Sequence, residues 1–335
     1  MMRVLKFLLS SQLKRSKPIE QSNGFTLIEL LVALLIAFIV ITPLLGFMIS
    51  VMNTDRQEQA KANTEQEIQA ALDYIARDLQ QAIYVYDSAG IDAIRTELPN
   101  SNSTDRVPVL VFWKRELIPQ VITITGDQKN DTYVYSLVAY YLIKDSNNTW
   151  SNAARIARWQ IRDGVASASG VTCDGYTGKY VSGYCPSSGY APFSLDGIGT
   201  LEEKMNTWKR LSQYTTKDGE TEVVTTVTPG APIVLVDYID STLSTNNPAP
   251  PIQANCPTGF TAVAPNTTNF NTRDTFKMKS FSACVNKNTT TVEVFLRGNA
   301  LARLQRNNLN YTANRSAYFP TASIRVQGRG YLFTQ

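Results

Sequence analysis

Histidine is absent from all 335 residues. That removes the commonest general base, the commonest metal ligand and every catalytic triad built on imidazole. Charge is also scarce, at 18% Asp, Glu, Lys and Arg, below the usual quarter of a soluble chain. The four cysteines never stand as C-x-x-C, which weakens a zinc or thioredoxin-like reading. There is no P-loop, no G-x-S-x-G and no paired-carboxylate motif. Acids are missing from the whole C-terminal section after Glu293. The sequence therefore predicts no enzyme, no cofactor and no metal.

What is present is unevenly distributed. The net charge is +4, yet residues 1–24 alone carry Arg3, Lys6, Lys14, Arg15 and Lys17 against Glu20. With that leader set aside, 27 basic and 27 acidic residues remain. From Leu30 to Met52 there is no charge at all. Roughly 20 apolar residues span a bilayer, and a basic segment before an apolar one stays cytoplasmic. The rest of the chain is then placed on the outer side of an inner membrane. Tyr, Thr, Ser and Asn are plentiful there, as suits a β-rich domain outside the cytoplasm.

One residue contradicts a plain anchor. Glu29 lies at the start of the apolar run, where a carboxylate costs on the order of 2.5–3.5 kcal/mol even on lenient insertion scales. A secretory signal does not explain it either, because the apolar run is too long and the polar leader too extended. The stretch Gly24-Phe25-Thr26-Leu27-Ile28-Glu29, followed by Leu30-Leu31-Val32-Ala33-Leu34-Leu35, resembles the class III signal of type IV pilins and pseudopilins. The resemblance implies a cut between Gly24 and Phe25 by a prepilin peptidase, and methylation of the new amine. Phe25 would then carry a positive charge in the same apolar layer as Glu29. Paired, the two charges offset much of each other's burial cost. Between subunits of a filament the pair would set the stagger, as a buried polar group sets register in a coiled coil. Within one subunit it would be a local ion pair.

Pro43, with Gly46 one turn later, predicts a bend or a melted turn near 42–46. Beyond it, Ile68, Leu72, Ile75, Leu79 and Ile83, with Ala71 and Ala82, recur every three or four residues as one apolar helical stripe. No Gly or Pro interrupts them. Residues 25–83 read as one nearly continuous helix of about 88 Å at 1.5 Å per residue. Four sections are expected: a leader, 1–24; a transmembrane or filament-core helix, 25–54; an amphipathic stalk helix, 55–86; and a β-rich head, 87–335.

In the head, short β-branched runs at Arg106–Lys114 and Val121–Thr125 read as strands. Thr132–Lys144 and Ala154–Arg162 read as a hairpin around Asp145–Asn152. Ile233–Ile239 reads as a buried-type strand. Thr275–Val285 and Thr290–Arg297 read as a second hairpin, and Ser323–Gln327 and Tyr331–Phe333 as closing strands. The fold class is α+β, a long helix packed on an antiparallel sheet. Residues 163–230 and 241–274 read as long irregular connections. Cys173, Cys185, Cys256 and Cys284 allow three disulfide connectivities; proximity in sequence favours 173–185 and 256–284, and free thiols are the alternative.

This order of elements is similar to the larger minor pilins and pseudopilins, most clearly in the hairpin of 137–162 and the strand of 233–239. The tail, Val294-Phe-Leu-Arg-Gly-Asn-Ala-Leu-Ala-Arg303 with Phe319-Pro-Thr-Ala-Ser-Ile-Arg-Val326, looks like cyanobacterial pseudopilins of the hormogonium polysaccharide secretion type. The resemblance implies a subunit without catalysis, serving polysaccharide export and gliding motility. The alternatives are a minor pilin of surface pili, for adhesion or DNA uptake, and a membrane-anchored envelope enzyme. Implied partners are the peptidase, other pilins or pseudopilins, an inner-membrane assembly platform, a cytoplasmic ATPase, and membrane lipid before assembly. The head would lie in the periplasm or on an extracellular filament.

Other candidates are weaker. Arg297, Arg303, Arg306, Arg315, Arg325 and Arg329 form either a basic surface or pairs with acids such as Glu58, Glu65 and Glu67. A neutral mature chain without a recognition motif predicts no specific nucleic acid. Asp127-Gln-Lys-Asn-Asp131 lacks the spacing of a calcium loop and reads as a solvated turn. Tyr176, Tyr180, Tyr184 and Tyr190 would make either a binding surface or a cover for a disulfide.

Overall fold

The computed structural model describes residues 25–218, 221–249, 256–263 and 274–330. The leader with Gly24, and the strand expected at Tyr331–Phe333, lie outside the described residues. The chain forms two compact units, 1–55 and 56–335. Helix α1, Leu27–Gln80, contributes to both.

In the first unit every described side chain of α1 is exposed. Phe25, Leu27, Leu34, Phe38 and Phe47 all project without cover. The helix is long and apolar enough to cross a membrane. It runs through Pro43 and Gly46 with no melted turn. Thr42 Oγ1 there donates to the Phe38 carbonyl at 2.8 Å.

In the second unit α1 turns amphipathic. Ala60, Thr64, Ile68, Ala71, Leu72, Ile75, Ala76, Asp78 and Leu79 are buried along one side, the three-and-four spacing of a core-facing stripe. The helix stops at Gln80, earlier than the apolar spacing predicts. Ala82-Ile-Tyr-Val-Tyr86 follows, and β-branched and aromatic residues suit a pleated surface better than another helical turn. Ala82–Val85 is accordingly strand β1. Ile83 continues the buried surface from a strand, not from the helix.

The elements that follow are α2 (Ser88–Ala93), β2 (Arg106–Thr125), β3 (Gln128–Ile143), β4 (Ala154–Arg162), β5 (Ala166–Thr172), β6 (Lys179–Tyr180), α3 (Leu201–Asn206), β7 (Gln213–Asp218), β8 (Thr221–Thr226), β9 (Ile233–Ile239), β10 (Thr261–Ala262), α4 (Asp274–Lys277), β11 (Phe281–Asn286), β12 (Thr291–Arg297), α5 (Leu301–Leu304) and β13 (Thr321–Gln327). Five strands form one sheet in the order β1-β2-β3-β4-β9, and four form a second, β10-β11-β12-β13. Their pairings are antiparallel throughout. With α1 against them this is the α+β class the pattern predicts.

Several expectations need adjusting. The runs at 106–114 and 121–125 are one strand, β2, with register shifts between Ile118 and Ile122 absorbing the break. Gln120 takes a positive φ there, and Asp131 Oδ1 accepts from its backbone N–H at 2.8 Å. Strand β9 is an outer strand of its sheet and only partly covered, with Ile233 exposed. The start of the second hairpin, 274–277, is helical. The connection 163–230 is not irregular. It holds two small antiparallel ladders, β5-β6 and β7-β8, and helix α3. Thr200 and Glu203 close a reciprocal capping box on α3, a T-x-x-E signature readable in the sequence.

Backbone hydrogen bonds tie the two sheets together at both ends. Ile239 bridges Gly298, Asp240 N donates to Arg297 O at 3.0 Å, and Asn299 N donates to Tyr238 O at 2.7 Å. At the far end Arg329 N reaches Gln80 O at 2.9 Å and Gly330 N reaches Ala82 O at 3.2 Å. Gly298 permits the first junction: a Cβ there would lie 2.6 Å from Thr64 Cγ2 on α1, closer than packed side chains approach. The added segment 163–230 docks through aromatics. Trp113 packs edge-on against Tyr190, Phe193 and Trp208. Its Nε1 donates to Tyr86 Oη at 3.1 Å, and Tyr86 Oη donates to Met205 O at 3.0 Å.

Candidate functional site

The first site is the start of α1. Thr26 lies immediately before the helix, and Glu29 is in its first turn. Thr26 donates to Glu29 Oε2 twice, from its backbone N–H at 3.0 Å and its hydroxyl at 2.8 Å. Glu29 N donates back to Thr26 Oγ1 at 3.3 Å. This is a capping box, in which orphan N–H groups of a helix start are satisfied reciprocally. A negative side chain in the first turn also meets the positive end of the helix dipole. Glu29 thus has a local partner, Thr26, that the reading from apolar pattern overlooked, although T-x-x-E is its sequence signal. The carboxylate has no cation beside it among the described residues, and the whole segment is exposed. Phe25 is exposed beside it.

A second constellation holds α1 to the sheet. Asp78 is buried on the helix and receives Lys114 Nζ at 2.9 Å from β2, Tyr140 Oη at 2.7 Å from β3 and Arg158 Nε at 2.7 Å from β4. Burial pushes its carboxyl up, but Arg158, Lys114 and Tyr140 together hold it below the ordinary range. The network continues through Glu116, which accepts from Ser136 Oγ at 2.9 Å and Gln160 Nε2 at 2.6 Å. One acid reaches three adjacent strands, so it pins the helix in rotation and in translation. Tyr140 is kept protonated by burial and by the Asp78 charge.

The C-terminal arginines do not form one surface. Arg297 is buried and donates to Asp240 at 2.7 Å, across the junction of the sheets. Burial raises the Asp240 carboxyl against the opposing pull of Arg297 and Thr242. Arg303 pairs with Glu67, donates to Thr64 Oγ1 at 2.9 Å and lies 4.0 Å over the Tyr238 ring. Arg325 pairs with Glu293 at 2.8 Å across β12 and β13. Arg315 donates to the Asn308 carbonyl at 3.3 Å. Arg306 and Arg329 are exposed.

Both disulfides join the neighbours in sequence, Cys173–Cys185 and Cys256–Cys284. The tyrosines near the first are packed rather than displayed. Tyr176 donates to the carbonyls of Ser187 and Tyr190 and packs edge-on with Tyr180. Tyr190 is buried, and Tyr184 packs against a small cluster of Ile118, Val121, Val134 and Val165. Asp127 sits in the β2–β3 turn, and Asp131 is engaged with Gln120. Among the described residues no group of three acids or cysteines is placed to hold a metal ion.

A family model described as the prokaryotic N-terminal methylation motif matches residues 21–45. That match covers the Gly24-Phe25 junction, Thr26, Glu29 and the uncharged run through Pro43. It supports a type IV pilin-like protein. No curated protein and no solved structure matches the chain.

Proposed function

We propose that the chain is a minor pilin-like subunit, a pseudopilin, of an envelope filament machine that serves polysaccharide export and gliding motility. The observation that carries the pilin-like part is the methylation motif on a helix whose first unit leaves every apolar side chain uncovered. Such a surface needs a bilayer or the matching helices of other subunits. In this reading a prepilin peptidase cuts after Gly24 and methylates the Phe25 amine. The helix waits in the inner membrane with its head in the periplasm, then leaves through an assembly platform driven by a cytoplasmic ATPase. Pro43 and Gly46 give the helix a weak point for that extraction. Glu29 exchanges its bond to Thr26 for the Phe25 amine, of its own subunit or of a neighbour.

The work is mechanical, not catalytic. The charged networks in the head join helix to sheet and sheet to sheet, and no described cluster resembles an acid–base pair in an open cleft. The export reading is supported by the tail motifs at 294–303 and 319–326. A minor pilin that primes surface pili is the second reading, favoured by the same helix.

A clean deletion separates them when pili, exported polysaccharide and motility are scored in the same cells. Loss of polysaccharide and gliding with pili intact is the expected result. Loss of the pili themselves overturns the export reading in favour of the minor pilin. Normal incorporation of a Glu29→Ala variant into filaments overturns the filament role of that residue.

A further inference from the structure

Two cavities in the head share a wall. The first, about 740 Å³, and the second, about 490 Å³, are both lined by Asn152 and Arg306. Together they make one polar groove beside the β3–β4 loop. The first is carpeted with amides from Asn246, Asn307, Asn308 and Asn310. These carboxamides make no hydrogen bond among the described residues. Thr275 Oγ1, in a buried residue on the same wall, also has no partner there. That hydroxyl is sealed from solvent, so it is the carboxamides lining the groove that are free to bond a ligand.

The second cavity contains the groove's aromatic platform. Trp150 is 40% exposed, whereas Trp113, Trp159 and Trp208, the rest of the four tryptophans, are no more than 4% exposed. The loop that carries Trp150 is rigidly held. Asn147 Oδ1 accepts from Thr149 N and Trp150 N, both at 2.9 Å. Ser151 donates to Asp237 of β9 from its N–H and its hydroxyl, both at 2.8 Å. Asn152 Nδ2 donates to the Arg306 carbonyl at 3.1 Å. An exposed aromatic on a preorganised loop, beside amides, is the arrangement of a binding hot spot.

One cation in the groove, Arg306, is left without an acid, whereas Lys144 lies in the field of Asp145 and Asp237. The acids lining the groove are already engaged: Asp105 with Arg106 at 2.7 Å and Asp274 with Lys277 at 3.6 Å. Arg306 has no acidic partner among the described residues, and half-buried Lys144 lines the same wall. Two cations are too few for the phosphate track of a nucleic acid. The walls are too polar for an apolar peptide. Amides and hydroxyls suit a ligand dense in hydroxyl groups, an indole face suits the C–H face of a sugar ring, and a guanidinium suits a carboxylate bidentately.

We propose that this groove binds an acidic oligosaccharide, with Trp150 under a sugar ring and Arg306 on its carboxylate. The inference deepens the export reading and rests on it for its setting, by naming the class of molecule the head would hold.

The test uses the full chain purified in detergent, with hexagalacturonate as the probe and cellohexaose and polyphosphate as controls. Trp150 is the reporter, because the buried tryptophans respond little to a surface ligand. Saturable quenching by hexagalacturonate is expected, with affinity at least about tenfold weaker for cellohexaose, the effect of losing one charge-assisted hydrogen bond. Arg306→Gln should remove that preference, and Trp150→Ala should weaken binding measured by calorimetry, with near-ultraviolet dichroism confirming the fold. Absence of saturable binding overturns the proposal. So does equal binding of polyphosphate, or affinity unchanged in both variants. Because binding is read on purified protein and export in cells, either reading can fail while the other stands.

Discussion

The two units of the chain use the same helix in opposite ways. In the first unit α1 carries an uncharged run from Leu30 to Met52 and buries nothing within its own chain. From Arg56 to Gln80 it is polar except for one stripe, and that stripe lies in the core with Asp78 at its end. Each part carries an acid of special placement, Glu29 and Asp78. Glu29 has one local partner, Thr26, and stays exposed. Asp78 is saturated by three residues from three strands. The difference separates an acid that joins a helix to a sheet from one that caps only its own helix.

Removing Asp78 should have the largest effect. Asp78→Ala strips half-buried Arg158 of its acid and leaves buried Lys114 with only Glu116, at 3.8 Å, which costs on the order of 3 kcal/mol; thermal unfolding of the detergent-solubilised chain reads it. If the head loses no stability, the contrast between the two acids fails. Acid titration sharpens the same point. Asp78 has a depressed carboxyl in the folded state, so its contribution is present above the unfolded value and lost as pH falls through the folded one. The thermal midpoint should therefore drop on acidification below about pH 4. Asp78→Asn should be less stable at neutral pH and lack that part of the drop.

A charge in the other half of the helix should do the reverse. Leu35→Arg should cost about 2.5–3.5 kcal/mol of membrane insertion, read by the fraction inserted in a translocation assay. The thermal midpoint of the head should not move. Thr26→Ala should have the smallest effect, about 1 kcal/mol for loss of a cap. Amide exchange at residues 27–30 in micelles should then quicken about fivefold. No change there would mean that Glu29 does not depend on its local cap.

Much of the head could be read locally. The β3–β4 and β11–β12 hairpins follow from β-branched and aromatic runs flanking polar turns. The buried stripe Ile68-Leu72-Ile75-Leu79 follows from helical spacing. What escaped the local reading depended on competition or on distance. Ile83 continues the helical period, yet its neighbours favour a strand and β2 lies ready to pair with it. The irregular-looking 163–230 acquires structure by docking on Trp113, far away in sequence. The six C-terminal arginines look alike in one dimension. Their burial, pairing or exposure depends on where Asp240, Glu67 and Glu293 arrive in space.

By itself, the sequence determined the processing motif, the membrane-length apolar run, the amphipathic helix and the strand-rich head. Those features depend on residues within a turn, a strand or a span of one another, where hydrophobic period and local sterics act directly. Only the tertiary structure decided that Asp78 binds three strands, that the sheets join at Gly298 and Gly330, and that Trp150 and Arg306 share a groove. These are meetings of residues tens to hundreds of positions apart. Their partners are selected by packing and by the cost of leaving a buried polar group unpaired, which no local pattern records.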